Sequence, residues 1–259
     1  MDLGIRGKRA IVCASSRGLG KGCALALAEA GVSLVINGRE PAALAETAAE
    51  IRAAHRVEVV PVAADLSDPA GQAALLAACP QPDILVNNNG GPPFRDFREL
   101  DRAAMTAGVI MNMLTPVELI QKVLDGMAAR GFGRIVNVTS ISVKMPLAGL
   151  DLSSGARAGL TAFVAGIART VADRNVTINN LLPGSFDTRR LRQGIAASAR
   201  RSGAPESAVA AEDRAAIPAM RFGTIEEFGR TCAFLCSAHA GYITGQNLLI
   251  DGGAFPGAF

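Results

Sequence analysis

Three polar side chains stand at spacings that could build one reactive site. Ser140 follows an apolar run, Ser153 comes thirteen residues later, and Arg157 lies one helical turn after that. Serine hydroxyls can orient a substrate oxygen, and an arginine keeps its positive charge at ordinary pH. Neither is a good proton donor. These residues therefore predict a site that holds or stabilises charge and takes its proton from another group.

Two neighbouring residues are candidates for handling that proton. Lys144 lies four residues after Ser140 and carries a titratable ammonium group. Pro116 has no N–H, so it leaves the carbonyl four residues earlier, on Asn112, free to hold a water molecule. The alternatives are a solvated loop lysine and a simple kink in a core helix, and the sequence leaves both open.

Apolar strand-like runs alternate with helical patterns along nearly the whole chain. Continuous apolar strands separated by helices are typical of a parallel sheet covered on both faces. We therefore predict an α/β fold, a Rossmann-type doubly wound parallel sheet of about seven strands in a three-layer αβα arrangement. One domain spans 1–259, and we expect the polar, helix-prone stretch at about 189–217 to form a lid-like insertion.

The composition argues against several classes of protein. The 259 residues are 49 % hydrophobic and 19 % charged, with a net charge of +3. No basic cluster is interleaved with aromatic residues, so we expect no nucleic-acid partner. The N-terminal stretch predicts no signal peptide. No uninterrupted apolar run has membrane-spanning length, so we expect no membrane association.

The cysteines favour a reducing compartment. Five is an odd number, which argues for free thiols and predicts a cytoplasmic protein. Cys232 and Cys236 lie four residues apart on a predicted helix, but the chain has only two histidines. Buried structural thiols are therefore favoured over a metal site.

A glycine-rich turn follows the first predicted strand and opens a helix. In "CASSRGLGKG", Gly18 and Gly20 let the backbone approach a pyrophosphate at the helix N-terminus, where free N–H groups point outward. A lone glycine pair is a weak signal. Here it lies in a strand–turn–helix–strand unit of about thirty residues, which predicts a dinucleotide-binding site.

Several motifs in order resemble the short-chain dehydrogenase/reductase family over nearly the full length. They are the glycine turn, "ADLSD", "NNNG", a Pro-Gly loop with a following threonine, and "YITGQNLLIDGG". Cys13 and Ala14 depart from the Thr-Gly that opens the family's turn. The resemblance implies a cofactor site made of Ala14, Ser16, Arg17, Gly18, Leu19, Gly20, Asn37, Arg39, Asp65, Leu66, Asn88, Gly90, Pro183, Gly184 and Thr188.

The residues after the second strand favour NADP(H) over NAD(H). An acidic residue there would bind a ribose 2′-hydroxyl and repel a 2′-phosphate. This chain has Asn37 instead, with Arg39 two residues on and Arg17 in the glycine turn. Two guanidinium groups on one edge suit a 2′-phosphate. The alternative is that both are solvated surface arginines.

The resemblance also shows what the catalytic segment lacks. The family aligns a serine, a Tyr-x-x-x-Lys pair and an asparagine, and these positions fall on Ser140, Ser153, Arg157 and Asn112. Shifting the register by one residue places Leu152 and Ala156 at the pair instead. Neither register supplies a tyrosine. Loss of a positioned acid typically lowers the rate by about 10²–10⁴-fold.

The resemblance implies an NADP-dependent oxidoreductase that transfers hydride to or from a carbonyl or alcohol. A 3-oxoacyl thioester is one candidate substrate, since the chain is similar to proteins described as 3-oxoacyl-(acyl-carrier-protein) reductases. The alternatives are a catalytically silent NADP-binding protein and a reductase of C=N or C=C bonds. The stretches "GGPPFRDF" and 189–217 offer apolar and basic surface, compatible with an acidic or acyl substrate. We expect a small-molecule substrate and a homo-oligomer, a tetramer or dimer, with an apolar tail "AFPGAF".

Overall fold

The computed structural model describes residues 1–91 and 94–258. Within these residues seven parallel strands form one sheet in the order β3-β2-β1-β4-β5-β6-β7. The strands are β1 (Arg9–Val12), β2 (Ser33–Gly38), β3 (Val59–Ala63), β4 (Ile84–Asn87), β5 (Gly133–Val138), β6 (Val176–Pro183) and β7 (Asn247–Ile250). The central strands β4 and β5 are buried along their whole length, and their sequences are mostly apolar apart from Asn87, Arg134 and Asn137.

Helices cover both faces of the sheet. They are α1 (Gly18–Glu29), α2 (Pro41–Ala54), α3 (Pro69–Ala78), α4 (Arg102–Val109), α5 (Thr115–Ala129), α6 (Asp151–Thr170), α7 (Arg189–Ser202), α8 (Glu206–Ala215) and α9 (Ile225–Leu235). One core packs α1, α2 and α9 against the sheet through residues such as Leu27 and Phe228. The other packs α3, α5 and α6 through residues such as Ile120 and Leu160. The predicted three-layer αβα fold is confirmed.

The long helix expected before β5 contains a wider turn. A π-helical turn, Ile110–Leu114, joins α4 to α5, and Pro116 lies just after it. The continuous run Arg102–Ala129 meets the length and composition test for a membrane span, although we expected no stretch of the sequence to do so. Core helices of soluble proteins meet the same test. Here the apolar face of α5, including Ile120, packs into the core.

The segment 189–217 folds mainly as two helices. Helices α7 and α8 pack on each other through Ile195, Ala199 and Val209, a small cluster apart from the two main cores. Helix α7 begins at Arg189, a short loop after β6 ends at Pro183, and Thr188 caps it by accepting a hydrogen bond from the Leu191 N–H. The action of this segment as a lid stays a prediction.

An asparagine ladder crosses the second half of the sheet. Asn87 donates to Asn137 at 2.9 Å, Asn137 to Asn180 at 2.9 Å, and Asn180 to Asn247 at 2.8 Å. The parallel register places these residues directly opposite one another. The ladder ties four strands together immediately before the segment that carries Ser140.

Candidate active site

At Gly20, the start of α1 packs directly against the backbone of the preceding turn. A Cβ atom added to Gly20 would lie 2.3 Å from the Ala14 carbonyl oxygen and 2.8 Å from Asn88 Nδ2. Gly18 has a φ of 57°, which glycine adopts at low cost. The turn leaves the first N–H groups of α1 free to bind an anion. A side chain at residue 20 would force α1 away from this turn, whose free N–H groups fit a dinucleotide pyrophosphate.

Ala14 carries a conformation that alanine seldom adopts. Its φ is 45°, in the left-handed region, at the position where the family has glycine. Buried bonds hold it there. The Ser15 N–H donates to the Asn37 carbonyl at 2.7 Å, and Asn88 Nδ2 donates to the Ala14 carbonyl at 3.2 Å. The departure from the family pattern therefore leaves the turn intact.

An open cleft lies at the carboxyl ends of β1, β2, β3 and β4. Seven of the predicted cofactor residues line it: Ala14, Ser16, Asn37, Arg39, Asp65, Leu66 and Gly90. Six lining residues were not predicted: Gly38, Glu40, Ala64, Ser67, Asn89 and Met111. Asn89 stands inside the "NNNG" motif and could have been found there. No local pattern points to Met111, which reaches the cleft from the π turn.

The remaining predicted cofactor residues surround the cleft without lining it. They are Arg17, Gly18, Leu19, Gly20 and Asn88 at the glycine turn, and Pro183, Gly184 and Thr188 after β6. The two groups adjoin, since Thr188 Cγ2 lies 3.6 Å from the position of a Cβ on Gly18. Gly184 is fixed by its N–H, which donates to the Ile250 carbonyl at 2.9 Å.

Both the oxygen and the nitrogen of the Asn37 side-chain amide bind main-chain groups beside the cleft. The side chain is 3 % exposed. Its Nδ2 donates to the carbonyls of Val62 and Ala64 at 3.1 and 3.0 Å, and its Oδ1 accepts from the Ala14 N–H at 3.3 Å. The position therefore has no negative charge, as predicted, but its hydrogen-bonding groups serve the protein and leave none for a ribose.

The two arginines expected to face a 2′-phosphate each contact a carboxylate. Arg17 Nη1 lies 2.8 Å from Glu40 Oε2, and Arg39 Nη1 lies 3.9 Å from Asp65 Oδ2. All four side chains are about half exposed or more. Exposed ion pairs contribute only about 0–1 kcal/mol, so a phosphate dianion could replace either carboxylate. The pairing with Glu40 was not predicted.

Arg157 is the centre of the catalytic segment. It lies one turn after Ser153 on α6, and both are buried, at 7 % and 5 % exposure. Its Nε donates to Ser153 Oγ at 3.2 Å, and its Nη1 donates to the Val138 carbonyl at 2.6 Å. Burial, and next the charge of Arg190, lower the pKa of Arg157 to about 10. It is therefore cationic at neutral pH.

Ser140 begins the short turn Ile141–Val143 directly after β5. Its Oγ accepts a hydrogen bond from the Ser142 N–H at 3.1 Å, which leaves the hydroxyl proton available. Ser153 Oγ likewise accepts from Arg157 and keeps its own proton free. Both serines can therefore donate a hydrogen bond to a substrate oxygen.

Asn112 has a buried oxygen without a protein partner among the described residues. The side chain is 2 % exposed, and its Nδ2 donates to the Gly108 carbonyl at 3.2 Å, but Oδ1 makes no hydrogen bond. An unsatisfied buried acceptor costs about 1–3 kcal/mol, so it is a place for water or a ligand. Water at the main-chain carbonyl of Asn112 stays a prediction, and the side-chain Oδ1 is a second place for it.

Lys144 is turned away from this group. It is exposed at the end of the Ile141–Val143 turn, and its Nζ lies 5.5 Å from the Phe255 ring centroid. Within residues 1–91 and 94–258, the hydrogen bonds of Ser153 and Arg157 do not involve Lys144. This placement fits the solvated lysine rather than the substitute acid.

Pro92 and Pro93 of "GGPPFRDF" and Phe259 of "AFPGAF" lie outside the described residues.

Comparisons with known proteins agree with this geometry. The family model described as enoyl-(acyl carrier protein) reductase matches residues 13–254. The chain is 31 % identical over 252 residues to the NADPH-dependent reductase BacG of Bacillus subtilis, covering 95 % of this chain and 97 % of the relative. It is 32 % identical over 257 residues to the 3-oxoacyl-(acyl-carrier-protein) reductase FabG of Pseudomonas aeruginosa, covering 98 % and 99 %.

A solved structure extends the agreement to the whole fold. L-sorbose reductase from Gluconobacter frateurii, crystallised with NADPH and L-sorbose, matches with a TM-score of 0.93 and 28 % identity, covering 99 % of this chain and 100 % of that chain. These relatives confirm the resemblance, and their use of NADPH agrees with the predicted cofactor. The chain therefore belongs to the short-chain dehydrogenase/reductase family of NAD(P)-dependent oxidoreductases.

Proposed function

We propose that the chain is an NADPH-dependent reductase that stabilises negative charge on a substrate oxygen without a phenolic acid. The observation that carries this proposal is the buried Arg157 guanidinium, held by Ser153 Oγ and the Val138 carbonyl. A fixed cation with nearby hydroxyl donors stabilises a developing oxyanion and needs no proton transfer of its own.

The cofactor side of the proposal rests on the cleft. NADPH, when bound, would supply the hydride. The free amides at Gly18 to Gly20 would hold its pyrophosphate, and Arg17 and Arg39 its 2′-phosphate. The Pro183 to Thr188 loop would hold its nicotinamide side, as the family resemblance implies. The closeness of α1 at Gly20 and the open space at Gly90 support this arrangement.

Reduction of an isolated ketone would be slow at this site. The product alkoxide is a strong base that needs a proton, and water near Asn112 Oδ1 is the donor we propose. Arg157 remains charged and passes no proton on. A 3-oxoacyl thioester also presents a ketone to this site, and the similarity to FabG supports it as a candidate.

A C=C bond conjugated to a carbonyl is the second candidate substrate, and the same arginine favours it. Hydride addition to the β-carbon places the charge on an enolate oxygen, a much weaker base than an alkoxide. Arg157 and the serine hydroxyls could stabilise that oxygen while solvent protonates the α-carbon. The family model's description as an enoyl reductase supports this candidate.

Stopped-flow measurement of NADPH oxidation tests the proposal. The panel contains simple ketones, β-ketoacyl thioesters, imines and enones at equal concentration. We expect slow turnover of the simple ketones and faster turnover of at least one of the other three classes. NADPH binding without oxidation by any class would overturn the proposed function in favour of the silent NADP-binding protein.

Three further proposals concern the oligomeric state, the cellular compartment and the segment 189–217. Exposed apolar side chains on α6 and β7, Phe163 and Leu248, support a homo-oligomer, which we propose to be a tetramer. The five cysteines are free and buried, which supports a cytoplasmic protein. We propose that the segment 189–217 closes over the bound substrate. Sedimentation as a monomer at micromolar concentration would contradict the first of these.

A further inference from the structure

The carboxylate of Glu40 stands at the cofactor cleft and pairs with one of its two arginines. Glu40 lines the cleft together with Arg39 and Asp65. Its Oε2 accepts a hydrogen bond from Arg17 Nη1 at 2.8 Å. The guanidinium group that the proposed function assigns to a 2′-phosphate therefore has a protein anion as its partner.

This ion pair joins the starts of two helices. Arg17 is the N-cap residue of α1 and Glu40 is the N-cap residue of α2, and within residues 1–91 neither side chain caps its own helix. An acidic side chain is usually stabilising at the N-terminus of its own helix, but Glu40 reaches across to the neighbouring one. The Glu40 side chain is 63 % exposed and that of Arg17 is 46 % exposed. Because an exposed ion pair is weak, a stronger anion can displace Glu40 into solvent.

The second carboxylate of the cleft is held differently. Asp65 Oδ2 lies 3.9 Å from Arg39 Nη1, which is beyond hydrogen-bonding distance. Asp65 Oδ1 accepts a hydrogen bond from the Ser67 N–H at 2.9 Å, and this bond ties the carboxylate to the loop after β3. Of these two carboxylates, Glu40 is therefore the one that competes directly for an arginine.

From these contacts we propose that Glu40 tunes the preference between NADPH and NADH by competing with the 2′-phosphate for Arg17. The phosphate has to displace the carboxylate or bind against its negative charge, and either event weakens NADPH binding. NADH has a neutral hydroxyl at this position and meets no such repulsion. The inference rests on the cofactor part of the proposed function, in which Arg17 binds the 2′-phosphate, and adds a residue that opposes this binding.

Calorimetric titration of both cofactors against Glu40→Gln tests the inference without any turnover. At low salt we expect the Kd of NADPH to fall about threefold or more and the Kd of NADH to stay within twofold. High salt should reduce the gain for NADPH, because it screens exposed charges. Glu46→Gln removes the same charge from an exposed position further along α2 and is the matched control. It should leave both affinities within twofold.

The Arg17→Ala background separates this inference from the assignment on which it rests. If Glu40 acts through Arg17, adding Glu40→Gln to Arg17→Ala should give no gain in NADPH affinity. A gain that persists there would show general repulsion of the phosphate and overturn the competition. Weaker NADPH binding by Glu40→Gln alone would also overturn it, since Glu40 would then be holding Arg17 in place for the cofactor.

The single variants show which claim fails. If Arg17→Ala binds NADPH as tightly as the unaltered protein does, the phosphate assignment fails and the inference fails with it. If Arg17→Ala loses NADPH affinity but Glu40→Gln gains none, the assignment stands and only the competition by Glu40 is contradicted.

Discussion

The cofactor half and the catalytic half of this chain depart from their family in different ways. In the cofactor half, Ala14 replaces a glycine, yet bonds from Ser15 and Asn88 hold the turn in its left-handed shape. In the catalytic half, the family resemblance places the buried Ser153 and Arg157 at the positions of the family's pair, and we propose that the site works without a phenol. The first half changes a residue and conserves the geometry. On our proposal the second keeps the positions and changes the chemistry.

The largest effect on the cofactor half is expected from a substitution at Gly20. In Gly20→Ala the new methyl group would overlap the Ala14 carbonyl oxygen, since the Cβ position lies 2.3 Å from it. Overpacking of this kind shifts the backbone, so the start of α1 would move away from the turn and its N–H groups would no longer align on the pyrophosphate. We therefore expect NADPH affinity to fall about 10- to 100-fold. Fluorescence titration measures the change. Gly166→Ala is the control and should bind normally, because the new Cβ would meet no described atom within 4 Å outside its own stretch of helix. Unchanged binding by Gly20→Ala would refute the close packing of α1 on the turn.

The basic rim of the cofactor half can be tested with Arg39→Ala. Loss of a charged hydrogen bond costs about 1.5–3 kcal/mol when buried, and Arg39 is exposed, so we expect about tenfold weaker NADPH binding. NADH has no 2′-phosphate and should bind as before. Calorimetry with both cofactors gives the result. Arg56→Ala, an exposed arginine in the loop before β3, should leave both affinities unchanged. Equal losses for NADPH and NADH would count against a phosphate contact.

The catalytic half should depend little on pH near neutrality. Arg157 has a lowered pKa of about 10, so it is cationic below that pH and loses its charge above it. We expect kcat to be nearly constant from about pH 6 to about pH 9, where neither serine ionises, and to fall severalfold as pH rises through about 10. Circular dichroism at each pH checks that the fold persists. A steep change near neutral pH would indicate a titrating acid that we have not identified.

The smallest effect is expected from restoring the family's glycine. Ala14→Gly removes a left-handed alanine that costs about 1–2 kcal/mol, and the greater freedom of the unfolded glycine chain returns part of that gain. We expect the free energy of unfolding to rise by about 1 kcal/mol. Urea denaturation measures it. Ala49→Gly, on the exposed face of α2, should do the opposite by about 1 kcal/mol. If both variants are destabilised, the φ of 45° at Ala14 carries no strain.

Much of the fold could be predicted because its signals are local. The strands β1, β2 and β4 carry short apolar runs, and the glycine turn fixes where α1 begins. Other features depend on contacts between distant residues. Met111 enters the cleft through a π turn whose only sequence hint is Pro116. The asparagine ladder requires the register of four strands.

Proximity along the chain was also a poor guide to the site. Lys144 lies four residues after Ser140, but the short turn between them directs its ammonium group toward Phe255. Glu40 adjoins Arg39 in sequence yet pairs with Arg17. Side-chain direction at such positions is set by the surrounding loops and cannot be read from spacing alone.

The double variant Ser153→Tyr with Arg157→Lys tests the central claim most directly. If the pocket is a vacated tyrosine site, a phenol beside an ammonium group supplies the missing acid. Stopped-flow NADPH oxidation should then show at least a tenfold gain in ketone reduction, which is about 1.4 kcal/mol of barrier, with little gain for enones. Ser153→Tyr alone should gain less, because Arg157 cannot relay a proton. A double variant that folds and binds NADPH normally but gains nothing on ketones would contradict the account.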